Sequence, residues 1–147
     1  MTRLAYRDWQ FECEPGRTRA AYEQIAHGGA EECGCAGCRN FLAQRDEVFP
    51  EEVLKLFAEL GVDSRRDAEI YHQARLESGS HLYGGWFHFI GEIEKQPLGP
   101  AQIREGFTID FLPTRDLAAP SFVDELLVQI EIAAELPWIV KEEKEPA

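Results

Sequence analysis

The sequence predicts a single α+β domain: a largely antiparallel β-sheet of five or six strands, packed by one or two helices inserted after the first hairpin. Three observations carry this reading. Stretches of period-two alternation recur along the chain and are clearest over residues 126–135. Two aromatic-rich stretches flank turn material at 77–80, as in a long hairpin. Residues 50–61 combine the apolar spacing of a helix with start and stop signals at its two ends. A chain of 147 residues with 44% apolar side chains has material for one core. No repeat or linker divides it, so residues 1–140 read as the domain and 141–147 as a frayed, charged tail.

In chain order, Trp9, Phe11 and Cys13 alternate with Gln10, Glu12 and Glu14, which puts the first three on one side of a strand. Pro15-Gly16 then supplies a turn. Residues 18–27 are read as the returning strand of the first hairpin, although Ala20, Ala21, Glu23 and Gln24 favour helix. A short helix over 40–47 stops near Pro50. In the helix over 50–61, proline and two acids occupy the first turn, Gly61 follows the last, and Val53, Phe57 and Leu60, flanked by Leu54 and Leu56, form the buried stripe. Residues 63–67 form a polar connection. Strands over 70–76 and 82–94 follow, the second with Gly84-Gly85 marking a bulge or a close backbone approach. Pro97, Gly99 and Pro100 make a loop, and 107–112 is a strand closed by Pro113. The last strand turns Leu126, Val128, Ile130, Ile132 and Ala134 to the core and Glu125, Gln129, Glu131 and Glu135 to water. Residues 137–140 pin the end of the chain.

The formal net charge is −12. Residues 1–45 carry six Lys/Arg against six Asp/Glu, and residues 46–147 carry nine against twenty-one, so the whole excess lies in the later part. Such a balance excludes a nucleic-acid backbone or an anionic membrane as a partner, because both need clustered positive charge. A basic protein is the partner it would suit. Charges recur every few residues and no leader-like apolar stretch is present, so a cytoplasmic location is expected, where cysteines serve as thiols, metal ligands or redox groups.

Three of the four cysteines fall within six residues, Cys33-Gly-Cys35-Ala-Gly-Cys38. Cysteines two apart in extended chain point the same way, and a CxxC turn lets two thiolates grip one tetrahedral ion. The expectation is a structural zinc site on Cys33, Cys35 and Cys38, with Cys13 as fourth ligand, or else His27, tying the first hairpin to the helix that follows. Two other readings of the chemistry stand beside it. Cys35 at a helix N-terminus could attack a disulfide with Cys38 resolving it, or the thiols could be inert and the acidic surface an inhibitor-type module for a basic protein. His72, His81 and His88 read as core or surface residues, His88 sharing a face with Trp86 and Ile90. GxSxG, P-loop, HExxH and dinucleotide-binding patterns are absent.

Overall fold

The sheet is built on its longest strand, β4 (His81–Lys95), in a computed structural model that describes residues 1–147. Along one edge, β4 pairs over its first ten residues with β7 (Leu127–Leu136), which in turn pairs with β6 (Phe107–Leu112) and through it reaches β5 (Ala101–Arg104). Along the other edge, β3 (Glu69–Arg75) takes the first part of β4 and β2 (Trp9–Cys13) the last part. The outermost strand on that side, β1 (Thr2–Tyr6), forms the first hairpin with β2 through Arg7, whose φ of 49° is left-handed. All pairings are antiparallel. The α+β prediction is thus met with seven strands in one sheet, slightly more than the five or six expected.

The predicted strand over 18–27 is a helix, α1 (Pro15–Glu23). The reason lies on β4. Between the segments paired by β3 and β2, the edge of β4 at residues 88–90 has no neighbouring strand, and its backbone groups need partners. Helix α1 supplies them from one face: Tyr22 Oη donates to His88 O (2.7 Å) and accepts from His88 N–H (3.1 Å), and Thr18 Oγ1 accepts from Ile90 N–H (2.9 Å). Thr18 and Tyr22 are four apart, the spacing that aligns two side chains on a helix. Pro15 sits at the start of α1 rather than in a tight turn.

Four further helices follow before β3: α2 (Gly29–Cys33), α3 (Ala36–Ala43), α4 (Arg45–Val48) and α5 (Glu51–Leu60). That is more than the one or two expected, because the thiol segment itself folds as α2 and the first turn of α3. Helix α5 matches its prediction except at Leu54, which is exposed, with Glu51 and Glu52 in the first turn and Gly61 in the left-handed region at φ 85°. It buries Val53, Leu56, Phe57 and Leu60. Phe57 packs on Phe49 and Phe87 with ring centroids 5.8 and 5.0 Å apart. At about 1.5–3 kcal/mol for each large apolar side chain taken from water, this stripe fixes α5 on the sheet. Glu52 accepts from Tyr6 and Arg7 and ties the first hairpin to α5.

The last strand turns its predicted core face inward through Val128, Ile130, Ile132 and Ala134. Two of its residues depart from the alternation. Leu126 lies before β7 and is exposed, and Gln129, expected in water, is buried because its amide oxygen bonds the His88 ring (3.0 Å) and the Asp116 amide (2.9 Å). Gly84 and Gly85 mark a close approach: a Cβ on Gly84 would lie 2.3 Å from Tyr71 Oη, and one on Gly85 2.4 Å from Ile70. The tail expected to fray lies against the body, Glu143 pairing with Arg39 and Glu145 with His81 and Arg75.

Candidate metal centre

Each thiol of the cluster owes its place to a local feature of the chain. Cys33 closes α2, which ends at Gly34 in the left-handed region (φ 72°), where a glycine carries no steric cost. That reversal brings Cys35 back beside Cys33, with the two sulfurs 3.2 Å apart. Cys35 is the N-cap of α3, its sulfur accepting from Cys38 N–H at 3.3 Å. Cys38, in the first turn of α3, points inward and is buried beside Ile70 O. The three sulfurs all lie within 4.8 Å of one another, Cys33 and Cys35 open to solvent and Cys38 buried. Thiolates around one tetrahedral ion, with metal–sulfur bonds near 2.3 Å, stand about 3.8 Å apart. The donor set is therefore close to the spacing that one ion requires.

The electrostatics are uneven across the cluster. Burial alone would push the Cys35 thiol up, but hydrogen bonds from Cys38 N–H, from the Cys33 and Cys38 thiols and from Gly37 N–H leave it below the usual thiol range. Cys38 moves the other way, raised by burial and then by its two thiol neighbours. Arg39, one turn beyond Cys35, donates to Gly34 O and to Glu143, which sets a cation beside the open thiols.

Neither fourth ligand considered from the sequence joins the cluster. Cys13 sits on β2 with its buried thiol directed at Thr2 O, 3.5 Å away. With Pro15–Glu23 folded as α1 instead of the expected return strand, nothing carries Cys13 from β2 to the thiol segment. His27 is exposed beside Glu31 at 3.9 Å, before α2 begins. The first hairpin is tied instead to α5, through Glu52.

What abuts the cluster is a face of the β3–β4 hairpin. Cross-strand partners His72 and Tyr83 share one face of the sheet, and His81, two residues before Tyr83, shares it too. Tyr83 Oη donates to Gly37 O (2.8 Å) and accepts from Asn40 Nδ2 (3.2 Å), which seats α3 on this face. A Cβ placed on Gly37 would lie 3.2 Å from His72 Cβ and 3.9 Å from Cys35 Sγ. The imidazole and the thiol therefore border the same space above Gly37. His72 Nε2 bonds His81 Nδ1 at 2.8 Å, and His81 Nε2 bonds Glu145 Oε1 at 2.8 Å. His81 is fully buried, its ring tilted against Trp138 with centroids 5.3 Å apart. From the sequence, His72 on a predicted strand and His81 at a turn read as core or surface residues, and no local spacing ties them to the cysteines. Only the hairpin register, with its irregularity between His72 and Ala74, brings them to α3.

The chain was compared with protein-family models, with curated proteins and with solved structures, and none of these matches it.

Proposed function

We propose that Cys33, Cys35 and Cys38 hold a zinc ion in a structural role, joining the end of α2 to the first turn of α3. The observation that supports this reading is the convergence of three sulfurs within 4.8 Å of one another. All-sulfur donors favour zinc and other thiophilic ions over calcium or magnesium, which need oxygen. The backbone fits the same role, since Gly34 reverses the chain and Cys38 N–H already supports the Cys35 sulfur. A clip of this kind adds metal-binding free energy to folding, because the unfolded chain holds no such site.

The test is elemental analysis of protein purified without chelator, with thiols counted before and after chelation. Zinc near one per chain is expected, with Cys33, Cys35 and Cys38 protected until it is removed. Cys35→Ser should lose the zinc and lower the thermal midpoint by on the order of 5 °C, the effect of about 2 kcal/mol in a domain of this size. Metal-free protein of unchanged stability, with all three thiols labelling freely, would end the zinc reading and turn attention to thiol chemistry at Cys35.

A further inference from the structure

We infer that His72 is the fourth ligand of the thiol cluster, through Nδ1, and that His81 and Glu145 are the positioning residues that hold its ring in the ligating tautomer. This rests on the metal reading above and adds to it a ligand from β3.

The argument runs along the hydrogen bonds. An ionised carboxylate only accepts, so the Glu145–His81 bond requires a proton on His81 Nε2. In neutral His81 the other nitrogen, Nδ1, is then an acceptor. The atom facing it at 2.8 Å, His72 Nε2, must be the donor. A neutral His72 that carries its proton on Nε2 has a lone pair on Nδ1, and the ring's hydrogen bond within the chain runs through Nε2 alone. It belongs to the ring that borders, with Cys35 Sγ, the space above Gly37. A ligating histidine characteristically donates its second ring N–H to an oriented acceptor, and here that acceptor is itself anchored by a carboxylate.

The three sulfurs converge without a His72 nitrogen among them, and the ring lies one close approach away, against the helix that carries Cys35 and Cys38. Three thiolates leave a tetrahedral ion one ligand short of a closed structural site. His72 is the histidine that the hairpin register sets against the helix carrying Cys35 and Cys38, and Gly37 between them is the residue without a side chain to block its approach. His27, the other histidine near in sequence, is turned toward Glu31.

Cobalt(II) titrated into the metal-free, full-length protein tests this. The unmodified chain should show thiolate-to-cobalt charge transfer together with the visible bands of a tetrahedral ion with three sulfurs and one nitrogen. His72→Gln keeps a polar group where Nε2 meets His81 but removes Nδ1. It should retain the charge-transfer intensity of three thiolates, shift the visible bands, and weaken cobalt binding by about tenfold or more. His27→Gln should change neither band nor affinity. A His72→Gln variant with the spectrum and affinity of the unmodified chain would overturn the His72 assignment while leaving the thiolate site standing. An unmodified chain that gives no charge-transfer band would overturn both. Should His72→Gln fail to fold, X-ray absorption at the zinc edge of the unmodified protein decides: imidazole scattering beyond three sulfurs supports the assignment, and its absence refutes it.

Discussion

Asp67 lies just before β3 with only 4% of its surface exposed. Its Oδ2 accepts from Ala30 N–H at 3.1 Å, anchoring the start of α2, but Oδ1 has no partner. Instead it shares the space beside Gly28 with another acceptor, Arg65 O. Burial pushes this carboxyl from its ordinary 3.8 up to about 6. The folded chain therefore holds the proton more tightly than the unfolded one. The stability this confers is complete below pH 3.8 and is lost as pH rises to about 6, a loss of roughly 3 kcal/mol once the group is ionised. Asp67→Asn keeps an acceptor for Ala30 and offers N–H toward Arg65 O. It should be more stable than the unmodified chain above pH 6 by about 1–3 kcal/mol, with the difference vanishing near pH 4. Urea titrations of both proteins at pH 4 and pH 7.5 measure this, and an equal difference at the two pH values would remove Asp67 as the cause. The same residue scale shows what the sequence could reveal of the site. Cys33, Cys35 and Cys38 were legible because ligand spacing within six residues is a local property. Where Cys13 and His72 stand relative to the cluster was not legible, because it depends on which strands pair.

Among the elements, α5 was legible from end to end, since proline, two acids, an apolar stripe and a closing glycine all agree. The segment after β2 was not, because Pro15-Gly16 suits both a turn and a helix start. What decides it is a tertiary demand, the bare edge of β4 that Thr18 and Tyr22 satisfy, and no local propensity encodes that. β1 was missed for the opposite reason: its residues are largely exposed and give little alternation. Two glycine substitutions separate the helix from the turn. Gly16 lies inside α1 without left-handed φ, and a Cβ there would meet nothing within 4 Å. Gly16→Ala should therefore stabilise by about 0.5–1 kcal/mol, through lower freedom in the unfolded chain. Gly61 is left-handed, and its Cβ would lie 2.3 Å from Pro15 O, so Gly61→Ala should cost about 2 kcal/mol or more. The measurement is the urea midpoint of each variant at constant slope. Loss of stability in Gly16→Ala would mean that Pro15-Gly16 is a glycine-requiring turn after all.

Over the whole molecule, the thiol cluster lies at one margin of the core, with Cys38 inside it and Cys33 and Cys35 open to solvent. Phe11, Phe87, Phe89, Phe107 and Phe111 are buried on the central strands, and β4 and β7 share ten register pairs that owe nothing to the thiols. The cluster instead gathers three parts of the chain that are far apart in sequence. Helices α2 and α3 carry the sulfurs, β3 brings His72, and the C-terminal segment returns to them through Asn40, which accepts from Ile139 N–H (2.8 Å) and donates to Pro137 O (3.1 Å), and through Glu143 and Glu145. β3 pairs with β4 alone, so it is held less firmly than β4 and β7, which have strands on both sides. Opening of the metal site should therefore be a local event with a free energy below that of global unfolding. Hydrogen exchange with and without chelator reads this directly. Removing the metal should release the amides of α2, α3, β3 and residues 137–145, while β4, β6 and β7 keep their protection. Equal loss in all seven strands would instead make metal binding a condition for the entire sheet, as in domains that fold only when loaded. Unchanged exchange everywhere would disconnect the thiols from the fold. The first pattern follows from a sheet whose central strands close on one another and which carries the cysteine cluster at one edge, where a bound ion would add to the core contacts of Ala30, Cys38, Phe41 and Ile70.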